Sequence, residues 1–179
     1  MTQYVFDTSA LLTYIENEEG AIEVEALLQK ALGDEVAIYI SIVSCIEVFY
    51  ITWQEQGKEV ATERLKLIDD LMVIKEPMDG QLTEIVGEFK ATKAMSFADC
   101  CIAGLAKLKK ATLVHKDPEY EQIENEIQQL KLPYSGSSAS AGCDCSAEFS
   151  VVMSKDYVDF RGEEEMRRLE RTSDQVFQA

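Results

Sequence analysis

Tyr4-Val5-Phe6-Asp7-Thr8-Ser9-Ala10-Leu11-Leu12 is a short apolar run stopped by an acid and followed at once by two hydroxyl residues. It reads as a buried strand, with Thr8 or Ser9 capping a helix that reaches about Asn17. The same grammar repeats outward from it. Ile22, Leu27, Leu28, Ala31 and Leu32 form a helical stripe closed by Gly33, and β-branched Val36 to Val43 gives a second strand. Ser44-Cys45-Ile46-Glu47 has the spacing of a capping box and opens a helix that stops near Gly57. A further helix spans Lys58 to Asp70, and Leu71-Met72-Val73-Ile74 is a third strand, stopped by Pro77. Leu82, Ile85, Val86 and Phe89 mark the next helix, and Ser96-Phe97-Ala98-Asp99 opens another that reaches about Lys109. Ala111 to Val114 is the fourth strand, and a short helix and an edge strand at Leu130-Lys131-Leu132 follow it.

Short strands alternating with helices make βαβ units, whose right-handed crossovers force a parallel sheet covered on both faces. The expected fold is α/β, a three-layer αβα sandwich around a mostly parallel sheet of four to five strands. Residues 1–134 form this domain. The composition changes at Ser135: Ser135 to Gly142 is Ser, Gly and Ala only, so residues 135–150 read as a flexible linker. Residues 151–179 form a tail with too few apolar residues to fold alone, which docks on something or stays disordered.

Of the 179 residues, 46% are hydrophobic, as in a soluble globular protein, and no apolar run nears the roughly 20 residues of a membrane-spanning helix. No basic region precedes Tyr4-Val5-Phe6, so no signal peptide is read and cytoplasmic residence is expected. Of five cysteines, Cys45, Cys100 and Cys101 lie in apolar periodic stretches and read as core. Cys143 and Cys145 have no second pair or nearby His to complete a zinc site. The net charge of −16 argues against a simple basic face for nucleic acid but suits a site for hard cations.

Open α/β sheets bind ligands at the carboxyl ends of their strands. Asp7 ends the first strand, Glu47 follows the second, Asp117 follows the fourth, and Asp99 opens a helix that returns from that same edge. Each has a structural alternative: Asp7, Glu47 and Asp99 as helix caps, Asp117 before Pro118 as a turn residue. Together they are unpaired carboxylates, since no Lys or Arg lies close in sequence to the first three and only Lys116 flanks Asp117. A divalent cation is the natural counter-charge.

Four segments carry a family resemblance: Val5 to Leu12, Ser44 to Val48, Phe97 to Ala106, and Leu113 to Tyr120. Each is weak alone; in this order and spacing they resemble the signature segments of PIN domains, nearest to the VapC-type toxins of prokaryotic toxin–antitoxin pairs. The resemblance spans about residues 1–134 and implies an acidic Mg²⁺ or Mn²⁺ site that cleaves RNA. It implies that Asp7, Glu47, Asp99 and Asp117 are the metal-site and catalytic acids and that Ser9 supports Asp7. It further implies a homodimer and a cognate antitoxin.

Within this frame Glu119 is an alternative fourth acid, and His115 stands where the family often has Thr or Ser, inviting a general-base role. The tail has the form of an antitoxin segment, with Tyr157, Val158 and Phe160 as anchors, a charged helix from about Glu163, and Arg161 as a guanidinium able to bridge the acids. The apolar residues Val48, Phe49, Tyr50, Ile51 and Trp53 nearly encircle one helix, which reads as core or interface. Two other readings compete: a non-catalytic receiver-like module, disfavoured because Asp7 has no acidic neighbour, and a PIN-like interaction protein without activity.

Overall fold

In the computed structural model, which describes residues 1–133, a five-stranded sheet runs in the order β3-β2-β1-β4-β5, every neighbouring pair parallel. Its strands are β1 (Thr2–Phe6), β2 (Val36–Ser41), β3 (Ile74–Glu76), β4 (Thr112–His115) and β5 (Gln129–Lys131). The helices are α1 (Thr8–Ile15), α2 (Ala21–Leu32), α3 (Ile42–Gln56), α4 (Lys58–Asp70), α5 (Gly80–Thr92) and α6 (Phe97–Lys109), with a 3₁₀ helix at Pro118–Ile123. The expected α/β fold and its parallel sheet are present.

Strand pleating sorts the core into two layers. Val5, Tyr39 and Leu113 stand in register across β1, β2 and β4 and pack with Leu82, Val86 and Phe89 of α5 and Cys101, Ile102 and Leu105 of α6. Their neighbours Phe6, Ile40 and Val114, each fully buried, turn to the opposite face, where α1 and α2 meet the sheet. Gly104 sets the α5–α6 distance: a Cβ there would meet Val86 Cγ2 at 2.8 Å. Cys45, Cys100 and Cys101 are free and buried, as their apolar surroundings indicate.

Several boundaries differ from the sequence reading. The helix after β2 starts at Ile42, because Ser41 supplies the cap: its hydroxyl accepts the Val43 N–H at 3.2 Å. Ser44 is therefore inside the helix, buried, and not the head of a capping box. Asp7, rather than Thr8 or Ser9, caps α1, accepting the Ser9 N–H at 3.0 Å. β3 begins only at Ile74, since Leu71 closes α4 and its side chain fills the core. The α3 residues are not uniformly enclosed. Val48 and Thr52 are buried, whereas Ile42, Ile46, Tyr50 and Trp53 are exposed. The residues expected to form a linker and tail, Cys143, Cys145 and Arg161 included, lie outside the described residues. No helix among the described residues is long and apolar enough to cross a membrane.

Candidate active site at the carboxyl ends of the strands

A parallel sheet presents all its strand ends on one edge, and the helices that follow begin there. That rule places Asp7, one residue past β1, beside the ends of β2 and β4, its two neighbours in the sheet. The Asp7 carboxylate is only 4% exposed. Its Oδ2 accepts the Ser9 N–H at 3.0 Å and the Ser9 hydroxyl at 2.5 Å, and its Oδ1 accepts the Tyr120 hydroxyl at 2.8 Å. Ser9 Oγ in turn accepts the Lys116 N–H at 3.0 Å, which ties the chain after β4 to Asp7.

Tyr120 carries the connection onward, because the same hydroxyl lies 3.1 Å from Asp99 Oδ1. Asp99 is in the first turn of α6, but it does not close a reciprocal capping box. The Ser96 hydroxyl accepts the Asp99 N–H at 3.0 Å, whereas the Ser96 N–H donates to Glu119 Oε2 at 3.0 Å. Glu119 supplies the acid half of the cap, which leaves the Asp99 carboxylate turned to Asp7. Glu47 is likewise no cap acid. With α3 starting at Ile42 it sits in the second turn, where it accepts the Thr8 hydroxyl at 2.6 Å and a hydrogen bond from Tyr50.

The electrostatics follow from this crowding. Burial raises the Asp7 carboxyl above the ordinary carboxylate range; the Ser9 and Tyr120 hydrogen bonds oppose it and the Asp99 charge adds to it. Burial raises Glu47 too, with Asp7 and Asp99 adding to the effect against the Thr8 hydrogen bond. Burial first, then the charges of Asp7 and Asp99, holds the Tyr120 phenol well above its usual value, so it remains a neutral donor. No Lys or Arg among the described residues forms an ion pair with these acids: Lys116 pairs with Glu18 and Arg64 with Glu16.

Asp117 lies on the same edge, two residues past β4. It caps the 3₁₀ helix, its Oδ1 accepting the Glu119 N–H at 2.7 Å. His115 is 1% exposed and built into the turn: its Nδ1–H donates to the Asp117 carbonyl at 2.8 Å, and Nε2 lies 3.0 Å from Gln129 Oε1. Burial lowers its pKa, opposed by Gln129 and the Asp7 charge. An enclosed imidazole held between two acceptor oxygens braces the turn and is not placed to take a proton from solvent or substrate.

Among the described residues, no three His, Cys, Asp or Glu side chains are already gathered into a metal cage. The donor set nevertheless fits a hard divalent cation: oxygen ligands only, like charges crowded together, and neutral hydroxyls rather than cations as partners. Three contacting residues went unread in the sequence. Thr8 looked like a cap, Tyr50 like core or interface, and Tyr120 like a motif neighbour without a task. The only signal for Tyr120 was its spacing, three residues after Asp117.

The PIN domain family profile matches residues 4–126. The chain belongs to the PIN domain family. Solved structures of similar fold include VapBC2 from Rickettsia felis bound to a promoter DNA fragment, at 19% identity and TM-score 0.61, covering 74% of this chain and 100% of that one. DNA-bound VapBC from Salmonella typhimurium is 20% identical with TM-score 0.61, covering 73% and 98%. VapC20 from Mycobacterium tuberculosis, a sarcin-ricin-loop-cleaving toxin, is 13% identical with TM-score 0.54, covering 66% and 93%. A comparison with curated proteins finds no match.

Proposed function

We propose that this PIN domain is a Mg²⁺- or Mn²⁺-dependent endoribonuclease acting as the toxin of a prokaryotic toxin–antitoxin pair. One observation carries the reading: Asp7, Asp99 and Glu47, drawn from three separate segments, are crowded at the strand ends with hydroxyls beside them and, among the described residues, no ion-paired Lys or Arg. Asp7, Asp99 and Glu47 hold the cation, with Asp117 as the fourth acid on the same edge; Glu119 is committed to the α6 cap. A bound divalent cation supplies Lewis acidity and a water able to attack a phosphodiester near neutral pH. The chain's own part is orientation: Ser9 and Tyr120 fix Asp7, and Thr8 fixes Glu47. Membership of the PIN family leaves the receiver-like alternative without support. The test is hydrolysis of mixed RNA by the wild type, by Asp7→Asn, and in excess chelator. Cleavage lost in the last two supports the reading, and cleavage kept in either overturns it.

An antitoxin partner is part of the same proposal, supported by similarity to the toxins of VapBC pairs. We assign residues 151–179 an antitoxin-like function that restrains cleavage, with Arg161 as its inhibitory residue. Arg161→Ala in the full chain then raises RNA cleavage, and unchanged cleavage removes that assignment. Self-pairing is proposed through α3, where Ile42, Ile46, Tyr50 and Trp53 expose one apolar stripe at helical spacing. Light scattering of the wild type and of Ile46→Glu tests it: a dimer that the charge dissociates is expected, and a monomeric wild type contradicts it. Cytoplasmic residence accords with such a function.

A further inference from the structure

We infer that Tyr120 is a positioning residue of the acid cluster, its hydroxyl aiming the carboxylates of Asp7 and Asp99 at one point and thereby setting the affinity of the site for a divalent cation. The inference rests on the proposed cation-dependent reading of that cluster.

The hydroxyl's place is fixed by the core and not by the acids. The Tyr120 side chain is fully buried. The His115 ring meets the Tyr120 ring edge to face, with centroids 4.8 Å apart and planes at 66°. The Tyr120 carbonyl accepts from Gln129 Nε2 at 2.7 Å, and Gln129 Oε1 lies against His115 Nε2 at 3.0 Å. Asp117 caps the 3₁₀ helix that carries Tyr120. The ring thus packs on His115 while its backbone is tied by Gln129 and the capped 3₁₀ helix, and its oxygen is delivered to the gap between Asp7 and Asp99.

A phenol has a single O–H proton, yet two carboxylate oxygens lie within hydrogen-bond distance of this one, at 2.8 Å and 3.1 Å. The two acids therefore converge on a shared donor instead of splaying apart under their repulsion. A phenylalanine would fill nearly the same volume, so packing alone does not explain a polar atom at this depth. Asp7 Oδ2 is held independently by Ser9, so its oxygens are directed by groups on both flanks. Asp99 and Glu47 are half-buried, which leaves the approach to the convergence point open from their side. Hydrogen-bonding partners that orient ligating carboxylates typically alter metal affinity by about 10- to 100-fold.

The experiment is a calorimetric Mn²⁺ titration of the full-length wild type and of Tyr120→Phe, with thermal midpoints recorded without and with Mn²⁺. The expected result is a variant that folds, binds Mn²⁺ about ten-fold more weakly, and gains less in midpoint from Mn²⁺. Cleavage in the variant recovers at raised Mn²⁺ with KM for RNA unchanged. Equal or tighter Mn²⁺ binding by Tyr120→Phe overturns the positioning role while leaving the cation site intact. Absence of Mn²⁺ binding by the wild type overturns the cation site and this inference together. A measurement on the wild type needs no variant: the Tyr120 ¹³Cζ resonance shifts when Mg²⁺ binds. A resonance unmoved while Mg²⁺ binds overturns the inference.

Discussion

The domain buries charge in two places and handles it oppositely. Between α1, α3 and α4, Arg64 is 4% exposed and donates to Glu16 Oε1 at 2.6 Å and to Thr52 Oγ1 at 3.1 Å. There an opposite charge is present. At the strand ends, Asp7, Asp99 and Glu47 meet like charges, neutral hydroxyls and the Ser9 N–H, and among the described residues no opposite charge pairs with them. The first arrangement pairs its charge within the chain; the second has no opposite charge among the described residues and lowers its own repulsion by retaining protons or by taking up a cation. A structural ion pair and a candidate active site are thus distinguished by the sign of what removing a charge should do.

The largest stability effect is expected at the clamp. Glu16→Ala leaves the buried guanidinium with Thr52 alone, and Arg64 Nε and Nη2 already have no partner among the described residues. A loss of about 3 kcal/mol in denaturant unfolding is expected. Asp7→Asn should do the reverse and leave the metal-free domain as stable or more stable. If both substitutions cost stability equally, the contrast between the two regions fails.

A smaller effect separates them by pH. Asp7 and Glu47 keep their protons to higher pH in the folded chain than in the unfolded one. The folded state then gains least where both are ionised, so stability falls as pH rises from the ordinary carboxylate range, near pH 4, through the raised values. Scanning calorimetry of the metal-free chain should show a midpoint that falls as pH rises above the ordinary carboxylate range through the raised Asp7 and Glu47 values. Millimolar Mg²⁺ should flatten the difference. A midpoint that rises across this interval without metal contradicts the cluster's electrostatics.

The smallest expected effect is at Ser9. Ser9→Ala removes a donor to Asp7 and an acceptor for the Lys116 N–H, at about 1 kcal/mol. Because the Ser9 hydroxyl lowers the Asp7 pKa, its loss moves the pH transition upward. A transition left in place would show that Ser9 acts only as a structural tie.

The fold was legible because its signals are local. Apolar runs ending at Asp7 and after Leu113, stripes at Leu27-Leu28 and Val86-Phe89, and Gly33 at a helix end each state an element and its direction. Parallel topology then placed the acids on one edge without further information. Cap identity was less legible. Ser41 and Ser44 both precede apolar helical residues, and only the end of the β2 ladder decides between them. That choice mattered for function, since it moved Glu47 from a cap position to the second turn. The task of Tyr120 was not legible, because its two partners lie 113 and 21 residues away and its spacing from Asp117 does not report such a contact. The same limit applies to Glu119, whose carboxylate takes over the Ser96 N–H and releases Asp99 from capping.

The central claim is that the crowded acids at the strand ends are a cation-dependent ribonuclease site. The most direct measurement is the rate of RNA cleavage by the full-length chain across a Mg²⁺ titration, beside Asp7→Asn and Asp99→Asn at matched folded concentration. The account predicts cleavage that saturates with Mg²⁺, vanishes in excess chelator, and is absent in both variants while their thermal midpoints stay at or above that of the metal-free wild type. Cleavage that is independent of Mg²⁺, or that survives in either variant, would contradict it.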